Sequence, residues 1–128
     1  MKSLLAAIAI GAAAASAAVA QPSRPVIVGP LGPHARVCLS LAEVSGLNRR
    51  GDNFLAVRAV PNAGARELDR LGPDRVVLIC SYSRDRKWAG IIYGRSGADG
   101  CGVASPGPYG GPCRSGWAAA RYLSTFGD

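Results

Sequence analysis

Arg75-Val76-Val77-Leu78-Ile79-Cys80 and Lys87-Trp88-Ala89-Gly90-Ile91-Ile92-Tyr93 are the two stretches that decide the fold. Each is a short apolar run rich in β-branched or aromatic side chains, and neither shows the period of an amphipathic helix. Such runs read as strands buried on both sides or nearly so. Between them, residues 82–87 hold Arg84, Asp85, Arg86 and Lys87, a charged cluster suited to a solvent-exposed hairpin tip. The pair predicts a β-hairpin at the centre of the molecule.

Working outward, the same grammar of short strands and turn residues continues. Residues 54–58 form a second short strand, preceded by the turn-rich stretch 46–53 with Gly51 and Asp52 at its tip. From Arg36, the apolar residues Val37, Leu39 and Leu41 alternate with small or polar ones and predict a first strand. Pro61, Asn62 and Gly64 mark a longer loop, and residues 67–71 form a brief turn of helix or a strand before the turn at Gly72, Pro73 and Asp74. Gly116, Trp117 and Ala118 read as a short final strand, with one tight helical turn over residues 119–123 before Phe126. The expected fold is a small all-β barrel, with a long Gly/Pro-rich loop ahead of the last strand.

The ends of the chain differ from this middle. Met1 and Lys2 precede an uncharged, mostly Ala run that closes on Ala18, Val19 and Ala20. That is the layout of a secretory signal peptide, residues 1–20, cleaved before Gln21; a short membrane anchor is the competing reading. Residues 21–35 hold four prolines and two glycines and predict a flexible, loosely attached leader, with the folded domain over 36–128. The full chain has 128 residues and a formal charge of +7; removal of the first twenty takes Lys2 away and leaves +6. Gly and Pro then supply 16 and 9 of 108 residues, which favours turns and short strands over long helices. No second long apolar stretch follows, so no membrane partner is expected once the signal is gone.

All four cysteines, Cys38, Cys80, Cys101 and Cys113, lie in the exported part. An even count in a small exported domain implies two disulfides, and three pairings are open. Cys101 and Cys113 bracket a segment too rich in Gly and Pro to be ordered by packing, so their bond is the expected one, leaving Cys38 to Cys80. A zinc site needs closely spaced ligand pairs, and the shortest gap here is eleven residues. No metal and no cofactor is expected.

The order of these pieces resembles the bacterial SH3-like (SH3b) domain family. The carrying residues are LAVRAVP at 55–61, Leu71 before a turn, the RVVLIC strand, KWAGIIY at 87–93 and GWAAARYL at 116–123. The resemblance spans residues 42–124 and implies a strongly bent, five-stranded SH3-type barrel, with residues 94–115 as a long Gly/Pro-rich loop insertion where the family has a short turn. Val60 and Asn62 stand where the family carries glycines, and Ala65 stands where an aromatic helps grip cell-wall peptides.

The chemistry points to binding rather than catalysis. The only histidine, His34, lies in the leader, and with the cysteines oxidised no nucleophile and base can be assembled. The eight acidic residues are scattered over turns. Trp88 and Trp117 are expected to fill the core, while Tyr93, Tyr109, Trp117 and Tyr122 are the candidate ligand-binding residues of an aromatic groove. The positive charge is nearly all arginine, with Arg49 and Arg50 in one turn and Arg84, Arg86 and Lys87 in another. Arginine forks suit carboxylates and phosphates, but export argues against nucleic acid as the partner. The expected role is a non-catalytic, periplasmic or secreted binding module. It docks on an envelope polymer, peptidoglycan among them, or on an envelope protein. The alternative is a small inhibitor or accessory protein acting on a partner enzyme through the clipped loop.

Overall fold

A computed structural model describes residues 22–29, 38, 40–103 and 105–126. The expected signal peptide, and Val37 and Leu39 of the expected first strand, lie outside the described residues. The chain forms β1 (Ile27–Val28), β2 (Ser40–Val44), β3 (Leu55–Arg58), β4 (Glu67–Leu71), β5 (Val76–Tyr82), β6 (Trp88–Tyr93), β7 (Gly107–Pro108), β8 (Arg114–Ala119) and β9 (Leu123–Thr125). A single 3-10 turn, Ala120–Tyr122, joins β8 to β9. The fold is all-β. Seven strands form one antiparallel sheet in the order β4-β3-β8-β6-β5-β2-β9, and β1 pairs with β7 in a two-stranded ribbon.

The central hairpin is built as the two apolar runs require. Leu78 faces Ile92 and Ile79 faces Ile91, and a register shift between Ile79 and Ser81 adds a bulge. The tip is locked by its own polar groups: the Arg86 N–H donates to Ser83 O, and Asp85 Oδ1 accepts from both Ser83 Oγ and the Lys87 N–H. Arg86 itself takes a φ of 60°, the left-handed region, at the tip. β6 and β8 then pair along their whole length, from Trp88 opposite Ala119 to Tyr93 opposite Arg114.

Alternation along the strands divides the interior into two cores. Val77 and Ile79 of β5, Ala89, Ile91 and Tyr93 of β6, and Ala118 of β8 point into one core together with Val57, Leu71 and Val44. Their neighbours Cys80, Ile92 and Trp117 point to the opposite face and meet Val26, Val28 and Cys101 there. The middle of the sheet is covered on both faces. That double burial is why the two deciding runs are continuously apolar rather than alternating.

The covering layer of the second face corrects the expectation for the leader. Residues 22–29 are docked rather than loose. Arg24 N–H donates to Ala59 O at 2.9 Å, Tyr109 N–H donates to Val26 O at 2.9 Å, and β1 pairs with β7 inside the loop insertion. Val26 and Val28 are buried at 1% and 2% exposure, so apolar burial outweighs the extended, donor-poor character that the prolines give this segment.

Three further differences have physical causes. Ala42 and Val44 carry the core face of β2, and Leu41 is 44% exposed, because the sheet register puts the even-numbered positions inward. The sheet has seven strands rather than five, since residues 67–71 pair with β3 and residues 123–125 pair with β2. The insertion ends at Cys113, because Arg114 and Ser115 already belong to the β6–β8 ladder.

Both disulfides belong to the covering layer: Cys38 bonds Cys80, and Cys101 bonds Cys113. The first anchors the chain ahead of β2 to β5. The second closes the insertion.

Candidate functional site

The described surface carries a groove of about 1040 Å³. One wall is the β3–β4 hairpin with the 47–54 loop, and the other is the tip of the β5–β6 hairpin with the 3-10 turn. The two parts of the second wall are tied together, because the Ala120 N–H donates to Lys87 O at 2.9 Å. Phe54, Trp88 and Tyr122 supply its aromatic surface, and Leu55, Ala119 and Ala120 add smaller apolar area.

The charge of the groove is lopsided. Arg58, Arg70, Arg86, Lys87 and Arg121 line it against Asp52 and Glu67 alone. Glu67 is already engaged, accepting from Arg70 Nε, and this hydrogen bond raises the Arg70 guanidinium above its usual value. Arg58 is committed to structure, its Nη1 donating to Ala65 O at 2.9 Å and bracing the 59–66 loop. Asp85, at the neighbouring tip, is held below its ordinary value by hydrogen bonds from the Ser83 hydroxyl and the Lys87 backbone N–H. Its carboxylate is bound to the turn, so Arg86, Lys87 and Arg121 make a cationic rim along one wall.

Several of these guanidinium groups lie over rings. Arg70 stands 4.2 Å from the Phe54 centroid, Arg121 4.7 Å from Tyr122, and Arg86 4.3 Å from Tyr82. A ring contact of this kind leaves the guanidinium N–H groups able to donate sideways, as Arg70 does to Glu67. The groove combines flat apolar faces with oriented cationic donors.

The four tyrosines and tryptophans expected to share a groove are separated by the fold. Tyr122 lines it, half-buried beside Leu47 and Arg121. Tyr93 is 1% exposed inside the first core, its hydroxyl donating to Asp69 Oδ2 at 2.8 Å. Burial, then the hydrogen bond to the Asp69 carboxylate, pushes its phenol well above the ordinary value. Trp117 lies in the second core, where its Nε1 donates to Arg24 O at 2.8 Å. Tyr109 belongs to the clipped loop: its hydroxyl donates to Cys101 O and accepts from the Cys113 N–H, spanning the disulfide. Strand alternation separates Tyr93 from Trp117, because their positions face opposite sides of the sheet.

Phe54, Arg70, Arg86, Lys87 and Arg121 line the groove although they were not candidate site residues, and Trp88, half-buried against the second core as expected, also lines it. Part of this was readable in the charged tip at residues 84–87. The approach of Arg121 to that tip depends on the Ala120–Lys87 hydrogen bond across two strands, which no local pattern encodes. Among the described residues no three His, Cys, Asp or Glu side chains gather as a metal site, and no helix is long and apolar enough to cross a membrane. The two disulfides are compatible with a periplasmic or extracellular location. Comparison with protein-family models, curated proteins and solved structures finds no match to this chain.

Proposed function

We propose that this chain is an exported, non-catalytic binding module of the SH3b type, which docks on cell-envelope material or on an envelope protein through the groove between the β3–β4 hairpin and the 3-10 turn. The observation that carries this reading is the juxtaposition of Phe54, Trp88 and Tyr122 with a rim of Arg86, Lys87 and Arg121 in one concavity. Aromatic faces supply large apolar contact at low entropy cost, and oriented cations add specificity and fast encounter. The clipped loop is the weaker candidate surface. Its aromatic side chain and its disulfide are used internally, against the leader and β8.

The test is co-sedimentation of the secreted, oxidised protein with purified envelope fractions, with Tyr122→Ala as the variant. Retention of the wild type, lowered about tenfold by Tyr122→Ala with a native circular dichroism spectrum at the assay temperature, is the expected result. Absence of retention at low salt, or retention indifferent to Tyr122, removes the reading.

A further inference from the structure

We infer that the occupant of the groove is an extended, acidic segment of a partner protein, in which carboxylate side chains alternate with apolar ones. The inference rests on the groove being the docking site and names the chemistry of what docks there.

Charge complementarity sets the sign. Five cations and two acids line the groove, and one of those acids, Glu67, is already bound by Arg70. Of the carboxylates near Arg86, Lys87 and Arg121, Asp85 is held by the Ser83 hydroxyl and the Lys87 N–H within the turn, and Asp52 lies on the loop of the opposite wall. A cationic segment would meet this rim with like charge, which costs several kcal/mol at an interface.

The form of the donors favours carboxylates over a phosphate polymer. Arg121 stands 4.7 Å over the Tyr122 ring and carries the paired guanidinium N–H groups that a carboxylate accepts, while Arg70 already gives its Nε and Nη2 to Glu67. Beside these donors Trp88, Ala119 and Ala120 give the groove an apolar stretch of floor with no hydrogen-bonding side-chain group except the Trp88 indole N–H, and Asn48 adds an amide. A polyphosphate or a uniformly hydrated glycan would strip water from its own polar groups against that floor without replacement. A peptide with a Leu or Val between its acidic residues would not, since its apolar side chains cover the floor while its carboxylates reach the rim. An extended backbone carries successive side chains to opposite sides and suits a two-walled concavity.

The experiment uses the full oxidised chain and reads tryptophan fluorescence. Trp88 lines the groove, while Trp117 is buried at 2% exposure and acts as an internal control of the fold. The probes are a synthetic decapeptide of alternating Glu and Leu interrupted by Pro, the same peptide with Gln for Glu, inorganic polyphosphate, and solubilised wall glycopeptides. The Glu peptide should bind saturably, weaken with salt, and bind at least tenfold more tightly than the Gln peptide. The double variant Lys87→Glu, Arg121→Glu should lose at least tenfold in affinity with its melting temperature unchanged. Equal binding of the Glu and Gln peptides, undiminished binding by the double variant, or tighter binding of polyphosphate or wall glycopeptides each overturns the inference. If envelope fractions retain the protein through Tyr122 while the Glu peptide neither binds nor displaces it, the inference fails and the docking reading stands. If the peptide binds and envelope fractions do not retain the protein, the docking reading fails and the inference stands.

Discussion

Asp69 shows how one side chain joins three elements. Its partial burial alone would push the carboxyl up, but hydrogen bonds from the Tyr93 hydroxyl, the Arg70 backbone N–H and Arg114 outweigh that and hold it below its ordinary value. The folded-state carboxyl therefore titrates below the unfolded one, near ~3.9. Its stabilisation is complete above the unfolded value and is lost as pH falls through the folded value. Stability followed by urea unfolding should fall between pH 4 and more acid conditions, and Asp69→Asn should flatten part of that fall. Tyr93→Phe removes the hydroxyl donor and should cost about 1–3 kcal/mol at neutral pH. Arg86 is a second such residue. Its φ of 60° is unfavourable for any side chain, so Arg86→Gly should stabilise the fold by about 1 kcal/mol. The same substitution removes a rim cation and should weaken ligand binding. Gain in melting temperature together with loss of affinity is the expected signature, and it matches backbone strain kept where it places a functional group.

At the scale of elements, the leader and the insertion act as one layer over the second face of the sheet. Gly90 shows how closely they approach: a Cβ there would stand 3.0 Å from Val26 Cγ1 and 2.5 Å from Ser81 Oγ. Gly90→Ala should therefore displace β1 and cost about 1–3 kcal/mol. Removing residues 22–29 uncovers Ile92 and Trp117 and strips the Trp117 Nε1 donor of its acceptor, Arg24 O. Burying a valine contributes about 1.5–3 kcal/mol, so loss of Val26 and Val28 together should lower stability by about 3–6 kcal/mol and redshift Trp117 emission. An unchanged spectrum would place Trp117 outside this layer. The prolines of this segment argue locally for an unpaired chain, while the burial of Val26 and Val28 is settled by Cys80, Ile92 and Trp117, far later in the sequence. The hairpin of β5 and β6 was legible because its strands, tip and partner are contiguous in sequence. The phase of β2 was not, since Leu41 and Ala42 can exchange faces with one residue of register, and only pairing with Val77 and Leu78 decides between them.

At the scale of the molecule, two small cores share one sheet, and the disulfides secure the thinner of the two layers. In the chain-entropy account, closing the loop between Cys101 and Cys113 contributes about 3 kcal/mol and closing that between Cys38 and Cys80 about 4 kcal/mol. Reduction should lower the melting temperature sharply, and Cys101→Ala with Cys113→Ala should release the insertion to proteolysis while the β5–β6 amides stay protected from hydrogen exchange. Equal loss of protection across both faces would mean that the layers unfold as one unit. What the residues alone supplied was the all-β class, the central hairpin and a favoured pairing of the cysteines, which is the one found. Each of these rests on contiguous apolar runs, turn residues, or the need of a Gly/Pro segment for a covalent clip. Only the tertiary structure decided which aromatics meet. Strand alternation sends Tyr93 and Trp117 to opposite faces, and the hydrogen bond from Ala120 to Lys87 brings Arg121 and Tyr122 beside the hairpin tip, so the groove arises from contacts between segments that have no sequence signal for one another.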